Sequence, residues 1–232
     1  MNERAVLSYS GTNHISELPE DMKSKVRNLE NLEFYGNHMV LDFINTLDHR
    51  GTERERDWFN DYHDILAWSY VTRFASKQET RTRALLAAEN PENGTAAFSL
   101  LIEIRELLYR IIAVRAVAGE AVEDDWQRFN SILQQTLLRA ELVPTPAATE
   151  CCTWRFNTAP EDLLWLRPPL IKAAADLLVA EKEGRLKQCA TQTCCRLFYD
   201  TSKNNGRRWC EPGCGNRTKV RRAYYKKKAA GM

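Results

Sequence analysis

The stretch CATQTCCRLFYDTSKNNGRRWCEPGCGNRTK, residues 189–219, decides how the C-terminal part of this chain folds. Four of its cysteines follow the pattern Cys189-x4-Cys194-x15-Cys210-x3-Cys214. Two short cysteine pairs joined by a loop of this length supply the ligands of a tetrahedral zinc site, because each pair forms one knuckle and the loop brings the knuckles together. The spacing therefore predicts one Zn²⁺ ion bound by four thiolates.

The predicted zinc ion is structural. Four thiolates complete its coordination shell and leave no position for a catalytic water. The four histidines, at positions 14, 38, 49 and 63, all lie far upstream, which disfavours a nuclease that needs a histidine base beside the metal. Residues 185–232 have too little apolar surface to fold alone, and zinc binding supplies on the order of 10 kcal/mol to such segments. The alternative is four buried or free cysteines without a metal.

The residues around the cysteines predict a small finger. RLFYD and RRWC are typical of two strands joined by an Asn-Asn-Gly turn. Gly215 permits a tight bend after the last cysteine, and Asn216 or Thr218 is a candidate cap for a terminal helix. Knuckle, hairpin, knuckle and helix follow one another in a treble-clef finger.

The charge of the chain is divided unevenly. Residues 185–232 carry 13 Lys and Arg against Asp200 and Glu211, a net charge of +11, which leaves −9 for residues 1–184. A cationic surface on a rigid module predicts a nucleic-acid partner with phosphate contacts. We predict these contacts from the basic side chains of the segment, namely Arg207, Arg208, Arg217, Lys219, Arg221, Arg222, Lys226, Lys227 and Lys228.

DNA is the favoured partner, and two alternatives stay open at this point. Tyr and Trp side chains lie among the basic residues, so RNA is not excluded, although the segment has no recognisable stacking platform. A finger that binds another protein, with charges that only keep it soluble, is the other alternative.

The composition indicates a globular protein without a membrane span. Hydrophobic residues make up 44% and charged residues 28% of the chain, and its most apolar region, residues 100–118, is interrupted by charges. The first residues lack the apolar core of a signal peptide, so we predict a cytoplasmic protein and no membrane partner. In a reducing compartment, seven cysteines indicate metal or redox chemistry rather than a disulfide framework.

The part of the chain before the finger is predicted to be mainly helical. Residues 97–118 have a broad apolar stripe that Gly119 ends, and SKQE, residues 76–79, fits a capping box. Pro168 and Pro169 must kink or restart a later helix. The predicted fold class is mainly α, with a helical N-terminal domain that contains a small β-hairpin and a C-terminal treble-clef-like zinc finger with four cysteine ligands.

Gly184 marks the predicted domain boundary. Residues 1–30 are predicted to be an N-terminal extension, residues 31–184 the helical domain, and residues 185–232 the finger with its basic helix.

Two other motifs have candidate roles. LDFINT, residues 41–46, places Asp42, Asn45 and Thr46 among apolar residues, where they form a candidate effector pocket or instead cap and brace helices, the role that we favour. Cys151 and Cys152 lie in the second strand of the predicted hairpin and are expected to face the core, with a vicinal redox pair as the alternative. No phosphate loop or activated nucleophile motif is recognisable, so we predict no catalytic residues and no enzyme.

The finger stretch resembles the CGNR zinc finger, which is named for the Cys-Gly-Asn-Arg found here at 214–217. MVLDFINTLDHRG, residues 39–51, resembles the start of the ABATE domain, which precedes that finger in bacterial proteins proposed to be stress-induced transcription regulators. The similarity extends from about Asn31 and includes AAADLL just before the finger. Many CGNR fingers have four residues in the second knuckle where this chain has three.

The resemblance implies a mainly helical ABATE domain, a DNA-binding finger, and zinc ligation by the same four cysteines. We therefore expect a transcription regulator whose helical domain senses an unidentified effector or forms a homodimer. An RNA- or ribosome-associated zinc protein, or a small-molecule enzyme whose finger recruits a partner, are the alternatives.

Overall fold

The computed structural model describes residues 29, 32–145, 151–181 and 184–229, with side chains described as far as Val220. The predicted N-terminal extension, residues 1–30, lies outside this part of the chain except for Leu29. We call residues 32–181 the body and residues 184–229 the finger.

Helices dominate the described residues, as predicted. Seven are found there, and the longest runs through the middle of the body. They are α1 Met39–Ile44, α2 Tyr62–Val71, α3 Lys77–Glu89, α4 Pro91–Ala116, α5 Glu123–Leu137, α6 Arg167–Ala180 and α7 Pro212–Ala229.

The strands of the described residues form three antiparallel pairs of two strands each. The predicted body hairpin is confirmed, whereas a second and very short hairpin after α1 was not predicted. The pairs are β1 Leu47–Asp48 with β2 Arg56–Asp57, β3 Ala140–Pro144 with β4 Cys152–Phe156, and β5 Leu186–Gln188 with β6 Leu197–Tyr199.

Helix α4 begins earlier than its apolar stripe predicts. Asn90 caps it by accepting the Asn93 N–H at 3.1 Å, and Pro91 occupies its first position, where the missing N–H costs nothing. At the other end, Ala118 has a φ of 57° and the Gly119 N–H donates to Val114 O at 2.8 Å. This is a Schellman ending in which an alanine, rather than the predicted glycine, takes the left-handed conformation.

Two other helix starts match their local signals. Ser76 and Glu79 form the predicted capping box at the start of α3. Pro168 and Pro169 lie in the first turn of α6, which begins at Arg167. The two prolines therefore start this helix and do not kink it.

The body core is built around α4. Leu101, Leu107, Leu108 and Ile111 on its predicted apolar stripe are fully buried and pack with side chains of the other body helices, whereas Leu100 at the edge of the stripe is 44% exposed. Within the described residues, no helix is long and apolar enough to cross a membrane.

Three local predictions for the finger are wrong. RRWC, residues 207–210, is not a strand, because β6 pairs with β5 on the other side of the first knuckle. Helix α7 begins at Pro212, before Cys214, so neither Asn216 nor Thr218 caps it. Gly215 is helical, and its missing side chain leaves room for the ring of Trp209, which a Cβ would approach to 3.3 Å.

The finger packs against the body and shares its core. Leu186 of β5 and Leu197 of β6 are buried within the same apolar cluster as the helices of the body. This shared core places the β5–β6 hairpin against the body.

Candidate metal centre

The four predicted zinc ligands come together. The sulfur atoms of Cys189, Cys194, Cys210 and Cys214 all lie within 4.8 Å of one another, and all four residues are buried. The Cys194 and Cys210 sulfurs are 3.5 Å apart, and those of Cys210 and Cys214 are 3.7 Å apart.

These separations fit one zinc ion. A tetrahedral site with Zn–S bonds of about 2.3 Å places its sulfurs about 3.8 Å apart. The set offers four soft sulfur donors and no oxygen ligand among its members, which is the donor chemistry of a structural zinc site. The four thiols can therefore hold one Zn²⁺ ion, which would supply folding free energy.

Each thiol is positioned by a different piece of local structure. Cys189 follows β5 and donates its N–H to Arg196 O at 2.9 Å, while the Cys194 N–H donates to Thr191 O at 3.0 Å and closes the first knuckle. Cys210 precedes α7, and Cys214 lies in the first turn of that helix. The second knuckle and the start of the basic helix are thus one element.

A guanidinium and a carboxylate lie beside the thiol cluster. The Arg217 Nη2 donates to Cys214 Sγ at 2.8 Å and to Glu211 Oε1 at 3.0 Å. Four thiolates and one Zn²⁺ carry a charge of −2, which a cation beside the sulfur offsets. Hydrogen bonds from Cys194, Cys210 and Cys214 lower the pKa of the Cys189 thiol, so the cluster stabilises a thiolate at that position.

Arg207, which is predicted to contact phosphates, makes several contacts with backbone and ring atoms of the protein itself. Its guanidinium donates to the backbone oxygens of Trp209, at 2.9 Å, and of Cys210, and it stacks 4.6 Å from the ring of Phe198. It also reaches Tyr35 O of the body at 3.4 Å. The side chain supports the second knuckle, and its predicted contact with nucleic acid stays a prediction.

The other predicted contacts divide into three groups. Arg208 and Lys219 are exposed. Arg217 is about half exposed and shares its charge with the cysteine cluster and Glu211. The side chains of Arg221, Arg222, Lys226, Lys227 and Lys228 lie outside the described part of the chain, although α7 itself continues past them.

Asn45 of LDFINT ties the body to the finger. Its Nδ2 donates to Leu197 O at 2.8 Å, and its Oδ1 accepts the Leu197 N–H at 3.0 Å. Both residues are buried. The amide thus pairs with β6 as a neighbouring strand would. We call the contacts that residues 35–48 make with β6 and the residues on either side of it the seam.

Asp42 and Thr46 also have internal partners. Asp42 is buried, and its Oδ1 accepts the Gly36 N–H at 2.8 Å, while Gly36 O accepts the Tyr199 N–H at 2.8 Å. Burial raises the pKa of Asp42 to about 7, although the Gly36 N–H and two arginines favour its charged form. Thr46 Oγ1 donates to Phe43 O at 2.7 Å. An effector pocket at Asp42, Asn45 and Thr46 stays a prediction, and these contacts give the three side chains a bracing role.

A chain of charges that the sequence analysis missed crosses the seam. Asp48 accepts two hydrogen bonds from Arg196, at 3.0 and 2.5 Å, and Arg196 lies 3.8 Å from Glu211, which in turn binds Arg217. Two signals were available: Arg196 directly follows the first cysteine pair, and Glu211 is an isolated acid between two predicted ligands. The cluster is therefore connected to the body through alternating charges.

The remaining cysteines lie outside the four-thiol set. Cys195 is partly buried with a φ of 58°. Cys151 and Cys152 are both exposed, so the prediction that they face the core is wrong. The reason is that the inward side of the β3–β4 hairpin is small: of its ten strand residues, only Ala140, Val143 and Phe156 are even partly buried.

Comparison with known protein families gives two matches that together follow the described chain from α1 to α7. Residues 37–181 match the ABATE family, which is described as "putative stress-induced transcription regulator". Residues 185–227 match the CGNR zinc finger. No match was found among curated proteins.

Proposed function

Because this chain belongs to the ABATE family and carries a CGNR zinc finger, we propose that it is a DNA-binding transcription regulator. The zinc-loaded finger presents a cationic surface to duplex DNA, and the body senses a signal or forms a homodimer. In this proposal the functional division of the chain lies at residue 184, with the regulatory part before it and the DNA-binding part after it.

The observation that carries the proposal is the start of α7 at the thiol cluster. Cys214 lies in the first turn of this helix, whose 18 residues contain seven Lys and Arg and no acid. A metal bound to Cys214 and to three thiols outside the helix fixes the direction of the basic helix relative to the rest of the finger. A cationic element held in one orientation is suited to the regular spacing of phosphates on a duplex.

The seam supplies the route by which the body acts on the finger. Asn45 binds the backbone of β6, and β6 begins three residues after Cys194. A shift of α1 therefore moves the strand that leads out of the first knuckle. We propose that a ligand or a second copy of the chain acting on the body alters promoter occupancy through this connection.

Salt-dependent binding to duplex DNA tests the proposal. Each phosphate contact contributes about 0.9 to the slope of log K against log salt concentration. Replacing two exposed cations of the finger, Arg208→Ala with Lys219→Ala, is expected to reduce the slope by about 2 if both side chains contact phosphates. The matched control is Lys77→Ala with Arg81→Ala, which removes the same charge from exposed positions of α3.

Three outcomes distinguish the alternatives. A smaller slope in the finger variant and an unchanged slope in the α3 variant support the proposal. An equal reduction of the slope in both variants would show that binding depends on the net charge of the chain and not on the finger. Tighter binding to single-stranded or structured RNA than to duplex DNA, together with no genomic locus enriched over a Cys194→Ser control, would replace the proposal by the RNA-associated alternative.

A further inference from the structure

A pair of accessible thiols lies at the connected end of the β3–β4 hairpin, where β3 ends and β4 begins. Cys151 and Cys152 are both exposed, whereas the other five cysteines, all within the described residues, are buried or partly buried. Neither belongs to the four-thiol cluster. The chain thus offers two adjacent sulfurs to solvent at one place.

The hairpin holds the backbone of this pair. Cys151 O accepts the Thr145 N–H at 3.1 Å, and Cys152 lies opposite Pro144 in the strand register. The Thr145–Cys151 bond lies one position beyond the Pro144–Cys152 pair, so the two cysteines lie at the end of the hairpin where residues 146–150 connect its strands. Cys151 directly precedes β4 and Cys152 is its first residue, so the two side chains leave adjacent backbone positions.

The thiols are also close enough to interact. The neighbouring Cys151 thiol raises the pKa of the Cys152 thiol, chiefly through a side-chain hydrogen bond. The raised pKa keeps the Cys152 thiol protonated at neutral pH, and the thiolate is the form that attacks peroxides and disulfides. Cys152 is thus less suited to rapid oxidation than to a reaction that uses neutral thiols.

We propose that Cys151 and Cys152 form a chelating site for trivalent arsenic compounds. An arsenic(III) oxide R–As=O condenses with both thiols: the As=O bond and two S–H bonds break, two As–S bonds form, and the oxygen leaves as water with both protons. Arsenic stays trivalent and sulfur is not oxidised, so no oxidant is needed. Thiolate sulfur is a soft ligand that suits this soft centre.

Two neighbouring thiols bind far better than one. Once the first As–S bond forms, the second thiol reacts within the same molecule at a high effective concentration, which raises the affinity by roughly 10²–10⁴ over a single contact. The four cluster thiols are buried, and they are also occupied when zinc is bound. The exposed pair is therefore the preferred site in the zinc-loaded protein.

The site adjoins the helical part of the body. Side chains two residues apart in a strand share a face, so Cys152 lies on the face of Trp154. The Trp154 ring packs 4.9 Å from Nζ of Lys172 in α6. An arsenic adduct at the hairpin end is thus placed beside a contact that joins the hairpin to the body.

Titration of the full-length, zinc-loaded protein with phenylarsine oxide tests this site. We expect one adduct per chain by intact mass, located on Cys151 and Cys152 by peptide mapping, with no zinc released to a colorimetric chelator. Cys151→Ser and Cys152→Ser should each weaken binding by at least about 100-fold, because each leaves a single thiol. Cys195→Ser, which changes a partly buried thiol outside the pair, should bind as the unchanged protein does.

The contrary results are equally clear. Unchanged binding by the double variant Cys151→Ser with Cys152→Ser, or an adduct on the cluster cysteines with zinc released, overturns the proposal, as does the absence of any adduct. Thermal unfolding of each variant, which should match the unchanged protein because both positions are exposed, separates loss of the site from loss of the fold. None of these readouts depends on DNA binding.

Discussion

Replacing Asn45 by alanine should lower the free energy of unfolding of the finger and the body, which we expect to unfold together. The substitution removes two buried hydrogen bonds, from Nδ2 to Leu197 O at 2.8 Å and from the Leu197 N–H to Oδ1 at 3.0 Å. It leaves one buried N–H and one buried C=O of β6 without their partner. Each orphaned group costs about 1–3 kcal/mol, so the free energy of unfolding should fall by about 2–6 kcal/mol.

Urea unfolding of zinc-loaded protein measures this change, with zinc release followed in the same samples. Because Leu186 and Leu197 of the finger are buried in the body core, the unchanged protein should show a single transition in which zinc release coincides with loss of helix. Asn45→Ala should shift that transition to lower urea and speed zinc release. Asn130→Ala, at an exposed position of α5, is the control and should change stability by less than about 0.5 kcal/mol.

Two results would refute the reasoning. A loss of less than about 1 kcal/mol in Asn45→Ala would mean that the seam contributes little beyond one ordinary hydrogen bond. Separate transitions for zinc release and helix loss in the unchanged protein would mean that finger and body do not share a core.

Two further predictions concern charged groups near the seam and the cluster. The pKa of Asp42 is raised from 3.8 to about 7 in the folded chain, so the folded state binds this proton more tightly than the unfolded state does. The contribution of Asp42 to the free energy of unfolding therefore falls as the pH rises from about 4 to 7. Between pH 6 and 8, the free energy of unfolding of the unchanged protein should fall by about 1.4 kcal/mol relative to that of Asp42→Asn. Its neighbours, the buried His38 and the partly buried Arg196 and Arg207, are present in both proteins, so parallel stability curves over this range would contradict the raised pKa. Arg217→Ala removes the donor to Cys214 Sγ and should weaken zinc binding by about 10–100-fold in competition with a chelator; an unchanged zinc affinity would assign Arg217 to the surface alone.

Local chemistry made much of the architecture predictable. Cysteine spacing identified the four thiols that come together, because zinc knuckles impose short separations between ligands. Ser76 and Glu79 marked a helix start that the structure confirms, and the two prolines after Arg167, predicted to kink or restart a helix, lie in the first turn of one. In each case the deciding interaction joins residues close in sequence.

The seam could not be predicted in the same way. Asn45 and Leu197 are 152 positions apart, and neither residue carries a local signal for the other. The error at RRWC has a related cause: the Asp200 carboxylate binds the Arg207 N–H at 2.8 Å and Lys187 Nζ at 2.7 Å, which holds the loop in a non-strand path. At both places the structure is determined by long-range polar contacts of buried side chains, which short-range sequence patterns do not reveal.

DNA binding by matched zinc-loaded and zinc-free protein tests the account most directly. Zinc per chain, helix content and affinity for a fluorescent DNA duplex should be measured on the same preparation before and after chelation. We expect one zinc ion per chain, and a loss of both DNA affinity and its salt dependence once zinc is removed, with recovery on adding zinc back. Native protein without stoichiometric zinc, or zinc-free protein that binds the duplex with the same affinity and salt dependence, would contradict the account.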